Sequence, residues 1–231
     1  FVISLARSRA RRDAMRDQIA RLDLSPIFVD AIEGTKLNDA DVPGRRGFGR
    51  PGEERPLSPR ELACALSHCA VYERIVQEQI PLACIFEDDC LLSDGFARVI
   101  QAIEQRREGW EVLLLGHHSA RHRPEIGAET CYGNTPLVDG YCSARVAEMP
   151  MGAYAYVVTT AGARMLLAFA QPPRMPADGV VGYSPAAGVR LHAVKPPCVL
   201  PHPEVASPST IDDRPYEDPG RHRPWRIVAG R

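Results

Sequence analysis

The stretch LACIFEDDCLLS, residues 82–93, runs an apolar segment directly into three consecutive carboxylates, Glu87, Asp88 and Asp89. A nearly continuous apolar run of this length is typical of a central strand in a parallel sheet. The acids would then lie at the carboxyl end of that strand, where open α/β sheets bind their ligands. Adjacent like charges repel each other, and a divalent cation would relieve the repulsion. The stretch therefore predicts a cation site, with solvated acids at the start of a helix as the alternative.

Strand and helix patterns alternate on both sides of this stretch. Residues 1–5 are a predicted strand, residues 25–30 are a second one that is followed by a turn at Gly34, and the spacing of apolar residues between the two strands predicts a helix. Residues 57–79 give the clearest helix pattern, in which Ser58 is the predicted N-cap and Glu61 completes a capping box. This order of elements predicts an α/β fold whose helices flank a mostly parallel central sheet.

The pattern continues after the acids. Ser93 is the predicted cap of the next helix, and residues 110–116 are predicted to form another central strand. Residues 152–170 predict a strand, a threonine cap and a helix, and residues 188–201 predict one last strand. Residues 119–150 show no regular pattern.

Length and composition indicate one domain. The chain has 231 residues, of which 45% are hydrophobic and 25% charged, and this suits a single core. We expect a domain over residues 1–200 and a Pro/Arg-rich tail over residues 201–231. Residues 43–56 predict a loop with four arginines, either solvated or closing over an anionic ligand. A net charge of −1 gives no basic field, so we expect no nucleic-acid partner.

Cysteine usage favours a reducing compartment. The seven cysteines form an odd set without a C-x-x-C pair, and we interpret them as core thiols because their spacing supplies no zinc ligand set.

No apolar run approaches the roughly 20 residues that cross a bilayer. We expect a cytoplasmic location. Residues 221–231, with four arginines and a tryptophan, either fray or touch anionic lipid at the inner membrane. Phe1 already lies in an apolar run, so we expect an upstream segment to have been trimmed.

Several motifs together resemble glycosyltransferase family 25, which includes bacterial lipooligosaccharide glycosyltransferases and the collagen galactosyltransferases. The resemblance covers roughly residues 1–200, and it rests on the order and spacing of the motifs. They are FVISLARSRARRDAM, FVDAIEG, LSPRELACALSHCAVYERIV, CIFEDDCLLS, EVLLLG, MGAYAYVVTTAGARMLL and MPADG.

The resemblance implies a GT-A-like nucleotide-sugar-binding domain that transfers a hexose with inversion. The implied donor is UDP-galactose or UDP-glucose, the implied acceptor is a lipopolysaccharide or lipooligosaccharide glycan, and the implied cofactor is Mn²⁺ or Mg²⁺. Glu87 and Asp89 take the position of metal ligands in this pattern, and Asp88 takes that of a donor-binding residue. His202 is placed as a late metal ligand, although its flanking prolines suit an ordinary extended segment equally well.

The resemblance also implies residues that bind the donor. Family members usually have Asn at the position of Ser4, whose hydroxyl can still bond a ribose or a base. His68 is either a donor-site hydrogen-bonding residue or a satisfied structural histidine. The residues implied to face the nucleotide are Ser4, Leu5, Arg7 and Arg11.

Inverting transfer also needs a base that takes the proton of the acceptor hydroxyl. Asp178, in MPADG, matches a recurrent family aspartate near the acceptor side, and we nominate it as the catalytic base. A turn-capping aspartate is the alternative. Two other functions stay open: a non-catalytic nucleotide-sugar or glycan-binding module, and the same transfer to a capsule or protein acceptor. A glycoside hydrolase is disfavoured, because three adjacent acids do not form a pair that flanks a sugar.

Overall fold

The structure is a computed structural model, and it describes residues 1–22, 24–37, 57–105, 109–117, 131–146 and 152–202. These residues form a large sheet, a small sheet and five helices. The helices are α1 (Arg9–Ala20), α2 (Pro59–Gln77), α3 (Phe96–Gln105), α4 (Thr160–Ala170) and α5 (Ala177–Gly182). The strands are β1 (Val2–Ser4), β2 (Phe28–Asp30), β3 (Leu82–Glu87), β4 (Cys90–Leu92), β5 (Val112–Leu114), β6 (Cys131–Val138), β7 (Tyr141–Val146), β8 (Ala155–Thr159), β9 (Leu191–Lys195) and β10 (Val199–Pro201).

The large sheet has eight strands in the order β2-β1-β3-β8-β5-β9-β7-β6, and β4 pairs with β10 in the small sheet. Strand β1 is parallel to β2 and β3, and β5 is parallel to β9. Strand β8 runs antiparallel to β3 and β5, and β7 runs antiparallel to β9 and β6. The predicted α/β class is confirmed, and the sheet is mixed, with β7 and β8 reversed. Strand β3 is central, but it is parallel to β1 alone because β8 inserts on its other side.

Successive residues of the central strands face two separate apolar cores, because side chains alternate between the faces of a sheet. Ile85 of β3 and Tyr156 of β8 belong to the core that includes buried residues of α2, α4 and α5. Phe86 and Val157, their neighbours in sequence, belong to the core that includes buried residues of α1 and α3. Both faces of the sheet are therefore covered, and this explains the nearly continuous apolar sequence of its strands.

The pairing of β1 with β3 positions the predicted site. Val2 lies opposite Phe86 and Ile3 lies opposite Glu87, so Ser4, the last residue of β1, lies level with the acidic turn. Because the two strands are parallel, they end at the same edge of the sheet. The turn after β1 and the acids after β3 therefore converge.

Helix α2 begins as its sequence predicts. Ser58 Oγ accepts a hydrogen bond from the Glu61 backbone N–H, and the Glu61 carboxylate accepts one from the Ser58 backbone N–H. Both halves of the capping box are thus formed. The predicted threonine cap of α4 is confirmed as well, since Thr159 Oγ1 accepts a hydrogen bond from the Gly162 N–H.

Helix α3 does not use its predicted cap. The helix begins at Phe96, so Asp94 and Gly95 separate it from Ser93, which lies two residues too early to act as the N-cap. The Phe96 N–H bonds the Ser93 carbonyl oxygen. The Ser93 hydroxyl is buried without a hydrogen-bond partner among the described residues.

Part of the stretch without a predicted pattern forms a hairpin. Strands β6 and β7 pair around Asp139 and Gly140, and Gly140 has a φ of 83°. An Asp-Gly pair between apolar residues is a strong hairpin signal that the pattern analysis missed. The predicted last strand is instead two strands, β9 and β10, separated by Pro196 and Pro197. Proline lacks the N–H that would continue a strand ladder.

Two sequence predictions fall on parts of the chain that the structure leaves out. The arginine-rich loop at residues 43–56 and all but the first two residues of the tail lie outside the described residues. Within the described ranges, no helix is both long enough and apolar enough to cross a bilayer.

Candidate functional site

A cavity of about 430 Å³ lies where β1 and β3 end, beside the first half of α2. Two sets of predicted residues line it together. Ser4, Leu5, Arg7 and Arg11 lie at or after the end of β1, and Glu87, Asp88 and Asp89 lie at or after the end of β3. The structure therefore brings the predicted donor-binding residues and the predicted acidic motif to one place. Arg7 forms an ion pair with Glu33 on the opposite wall of this cavity.

Asp88 links three elements. Its Oδ2 accepts a hydrogen bond of 2.6 Å from the Ser4 hydroxyl, and its Oδ1 accepts one of 3.1 Å from Arg11 Nη1. Arg12 in turn donates to the Ser4 hydroxyl at 3.2 Å and to the Ser4 carbonyl oxygen at 2.7 Å. Both oxygens of Asp88 are thus engaged, so this residue holds the acidic turn against β1 and α1.

Asp89 has a strongly raised pKa within the acidic turn. Burial raises the pKa of its carboxyl to about 7, and the negative charges of Glu87 and Asp88 add to the shift. Arg11 opposes the shift, with Nη1 lying 3.7 Å from Asp89 Oδ2. One arginine shared between two aspartates does not compensate three carboxylates. A divalent cation would stabilise the charged form of Asp89, so the donor set fits Mn²⁺ or Mg²⁺.

Glu87 turns toward helix α2. Its Oε1 lies 3.3 Å from Nε2 of His68 and 3.8 Å from the sulfur of Cys64, whose thiol donates to it. On the other side of the imidazole ring, His68 Nδ1 lies 2.8 Å from the Tyr156 hydroxyl, which is 2.6 Å from the Tyr72 hydroxyl. A buried hydrogen-bonded chain therefore connects the cavity to the core through His68, which is only 1% exposed.

Among the residues that the structure describes, Cys64, His68 and Glu87 are the group of three whose possible ligand atoms lie within 4.8 Å of one another. Asp89 and His202, the other predicted metal ligands, do not belong to such a group. His202 is nevertheless close to the acidic turn, since its backbone N–H donates to the Asp89 carbonyl oxygen at 2.7 Å. Metal ligation by Glu87, Asp89 and His202 stays a prediction.

Asp178 lies in the first turn of α5, outside the wall of the cavity. Its Oδ1 accepts a hydrogen bond of 2.8 Å from the Gly179 N–H. Its charge contributes to raising the pKa of Cys64, together with burial and the charges of Glu87 and Asp89. Asp178 is therefore within electrostatic reach of the Cys64 side of the cavity, and its role as a base stays a prediction.

Sequence reasoning missed two contributors to this site. Arg60, in the first turn of α2, adds a third arginine to the wall of the cavity. Cys64 was interpreted as a core thiol, yet it is only partly buried and lines the cavity. Its position four residues before His68, on one face of a strongly predicted helix, is the signal that could have identified it.

A larger cavity of about 570 Å³ lies between α2 and the segment after α4. Its wall contains a single carboxylate, Glu73, among mostly apolar and proline residues, and it contains none of the predicted site residues. The convergence of charged groups therefore favours the smaller cavity as the functional site.

Comparison with known proteins gives a consistent family match. Residues 1–181 match the family model described as glycosyltransferase family 25 (LPS biosynthesis protein). The human protein named inactive glycosyltransferase 25 family member 3 is 31% identical over 189 residues, which cover 77% of this chain and 30% of that protein. Human procollagen galactosyltransferase 2 is 26% identical over 125 residues, covering 50% of this chain and 20% of that protein.

The chain spans less than a third of the length of these curated relatives. Among solved structures, the crystal structure of A197 from STIV is similar with a TM-score of 0.41 and 11% identity, covering 83% of this chain and 79% of that one. A likeness of this size does not assign the chain to that fold.

Proposed function

The chain belongs to glycosyltransferase family 25, and from this premise we propose that it is a metal-dependent, inverting hexosyltransferase with a GT-A-like domain. The proposed donor is UDP-galactose or UDP-glucose, and the proposed acceptor is a lipopolysaccharide or lipooligosaccharide glycan. The observation that carries the proposal is the 430 Å³ cavity, whose wall combines Arg7 and Arg11 with the acidic turn at Glu87–Asp89. A nucleoside diphosphate needs both groups: cations for its phosphates and acids for its metal ion.

The first strand and its turn would bind the nucleotide. Ser4 and Leu5 lie at the end of β1, Arg7 lies in the turn before α1, and Arg11 lies in the first turn of α1. Arg11 also contacts Asp88 and Asp89, so it would position the acids at the same time as it attracts the diphosphate. His68, buried behind Glu87, would hold that carboxylate in place when its Nε2–H donates to it.

Glu87 and Asp89, with His202 beside them, would hold the cofactor. When bound, Mn²⁺ or Mg²⁺ supplies positive charge that stabilises the departing diphosphate. The acids contribute because their mutual repulsion favours a cation at this position. Asp88, already hydrogen-bonded on both oxygens, would keep the turn in its geometry.

Asp178 would act on the acceptor side. An ionised carboxylate takes the proton of the attacking hydroxyl as its oxygen bonds to the anomeric carbon and the bond from that carbon to the diphosphate breaks. The leaving group departs as UDP on the opposite face of the sugar, which accounts for inversion. This division of roles requires two separate acidic groups, and α5 and the turn after β3 provide them on different elements.

Release of UDP tests this proposal. The purified chain is incubated with Mn²⁺ and UDP-galactose or UDP-glucose, with and without a lipopolysaccharide acceptor extract, and UDP is measured before and after addition of EDTA. We expect acceptor-dependent release that EDTA abolishes and added Mn²⁺ restores. Lipooligosaccharide, capsule and protein acceptors compared in parallel identify the acceptor class. Absence of metal-dependent release with every donor and acceptor would contradict an enzymatic function.

A non-catalytic binding module of the same fold is the second candidate. The observation that favours it is the 31% identity to a human protein whose name describes it as inactive. Calorimetric titration and the UDP assay together separate the two functions: the module would bind the UDP-sugar and Mn²⁺ in the titration yet release no UDP in the assay. A cytoplasmic location at the inner membrane is part of the proposal for the enzyme, since its acceptor would be presented there.

A further inference from the structure

We propose that Cys64, His68 and Glu87 form a binding site for Zn²⁺, or for another divalent ion of similar softness, in the wall of the 430 Å³ cavity. Two of these residues come from helix α2 and one from the end of strand β3. This site shares Glu87 with the proposed Mn²⁺ site but differs from it in its other ligands, because thiolate and imidazole suit Zn²⁺ whereas Mn²⁺ and Mg²⁺ prefer oxygen.

The three ligand atoms are already close to the arrangement that zinc requires. Glu87 Oε1 lies 3.3 Å from His68 Nε2 and 3.8 Å from Cys64 Sγ, and all three atoms lie within 4.8 Å of one another. Tetrahedral zinc, with bonds of about 2.0 to 2.3 Å, holds neighbouring ligand atoms about 3.3 to 3.8 Å apart. Two separations therefore fit as they stand, and the third is no longer than 4.8 Å.

The backbone holds these ligands on rigid elements. Cys64 and His68 are four residues apart in a helix with a complete capping box, so both side chains project from the same face. Glu87 is the last residue of a strand that is paired on both sides, with β1 and with β8. Little ordering is therefore needed before an ion can bind.

The hydrogen bonds of His68 support a ligand role. A proton or a cation must lie between the imidazole nitrogen and the carboxylate oxygen, because two acceptor atoms 3.3 Å apart repel each other. Without a metal, the Nε2–H of His68 donates to Glu87, and a metal bound at Nε2 would require the ring proton to be on Nδ1 instead. The Tyr156 hydroxyl, 2.8 Å from Nδ1, can accept that Nδ1–H and donate its own hydrogen to the Tyr72 hydroxyl. The Nε2 lone pair would then face Glu87 and Cys64, as a metal-ligating histidine requires.

A dication would also balance the local charge. Burial raises the pKa of the Cys64 thiol well above its ordinary value, and the charges of Glu87, Asp178 and Asp89 raise it further, so the thiol stays protonated without metal. Zn²⁺ would displace that proton, which leaves to solvent. The resulting thiolate and the Glu87 carboxylate together neutralise the two charges of the ion.

The cavity gives the ion access to the site. Cys64 and Glu87 line the cavity, whereas His68 lies almost completely buried behind them. Three protein ligands leave a fourth position of a tetrahedral ion open, and water from the cavity would fill it.

Titration of the purified chain with Co²⁺ tests the proposal, because Co²⁺ replaces Zn²⁺ in tetrahedral sites and a thiolate ligand gives it a strong near-ultraviolet charge-transfer band. We expect the band to saturate at one equivalent and to disappear when Zn²⁺ is added. Cys64→Ser should lose the band, and Glu87→Gln should weaken cobalt affinity at least tenfold, roughly the smallest loss seen when even an outer-shell partner is removed. Cys69→Ser, a matched thiol in the same helix that belongs to the apolar core, should keep the band.

Far-ultraviolet circular dichroism establishes that each variant is folded. Absence of the band in the wild-type chain overturns the proposal, and so does a band that persists in folded Cys64→Ser or is lost in folded Cys69→Ser. If Cys64→Ser does not fold, cobalt affinity in Glu87→Gln decides, and an unchanged value overturns the proposal. Asp89→Asn should keep the band, which separates this site from the proposed Mn²⁺ site. No UDP-sugar is present, so the outcome is independent of the proposed transferase activity.

Discussion

Asp89 makes the chain less stable as the pH rises. Burial and neighbouring carboxylates raise its pKa from 3.8 to about 7 in the folded chain, so the folded state binds more protons than the unfolded state between these values. The contribution of the protonated group is fully present below about pH 4 and is lost as the pH approaches 7. In metal-free buffer, Asp89→Asn should raise the free energy of unfolding at pH 8 by about 1 to 3 kcal/mol.

Urea denaturation at pH 5 and pH 8, with EDTA, measures this effect. The variant should be less sensitive to pH than the wild-type chain, while Asp94→Asn, at an exposed aspartate beyond β4, should leave the sensitivity unchanged. Equal pH sensitivity in wild type and Asp89→Asn would contradict the explanation. Saturating Mn²⁺ should reduce the difference at pH 8, because the ion stabilises the ionised carboxylate.

Asp178 and Asp89 should have separable effects on turnover. Asp178→Asn removes the proposed base, so kcat should fall on the order of 10² to 10⁴-fold while the affinity for the UDP-sugar is kept. Asp89→Ala removes a proposed metal ligand, so both turnover and metal-dependent donor binding should be lost. Steady-state kinetics and calorimetric titration distinguish the two results. Near-normal turnover in Asp178→Asn would show that another group takes the proton.

Some contacts of the site were predicted from the sequence and others were not. The acidic turn and the residues at the end of β1 were predicted to share a site. They line one cavity because β1 and β3 pair in parallel and therefore end at the same edge of the sheet. The contact of Glu87 with His68 was not predicted, since it depends on how α2 packs on β3. The same packing brings Cys64 to Glu87, and no sequence spacing between residues 64 and 87 encodes it.

Helix α2 supplies Cys64, His68 and Arg60, so its N-terminal cap supports the site as well as the fold. Ser58→Ala removes the hydrogen bond to the Glu61 N–H and should lower the free energy of unfolding by about 1 kcal/mol. Ser8→Ala is the matched control, because Ser8 is the N-cap of α1 but makes no side-chain capping bond. Chemical denaturation of both variants measures the difference, and an equal loss in Ser8→Ala would mean that the capping bond is not the cause.

The helix caps follow from local sequence, whereas the direction of strand β8 depends on distant partners and was not predicted. The caps of α2 and α4 follow from residues within one turn of the helix, so the sequence alone identifies them. The reversed direction of β8 is set by pairing with β3 and β5, more than forty residues away in sequence, and periodicity does not encode it. The β6–β7 hairpin also has a local signal, the Asp139-Gly140 pair at its turn.

The large sheet connects the cavity to the stability of the whole fold. Strand β8 lies between two groups of strands in this sheet, β2, β1 and β3 on one side and β5 and β9 on the other. The two apolar cores lie on opposite faces of this one sheet, and residues of β3 and β8 contribute to both. Opening the cavity by separating β1 from β3 would therefore disturb both cores. A ligand that binds at the ends of these two strands should stabilise the whole described fold.

This coupling predicts a thermal shift with UDP and Mn²⁺. A ligand that binds only the folded state at one hundred times its Kd stabilises it by about 2.7 kcal/mol, which corresponds to a Tm increase of roughly 5 to 11 °C in a chain of this size. Differential scanning fluorimetry should show the increase with UDP and Mn²⁺ together and a smaller one with either alone, because the acids and arginines bind the ion and the diphosphate in one cavity. Arg11→Ala should reduce the shift, whereas Arg98→Ala, an exposed arginine on α3, should retain it. Equal shifts in the two variants would place UDP elsewhere on the chain.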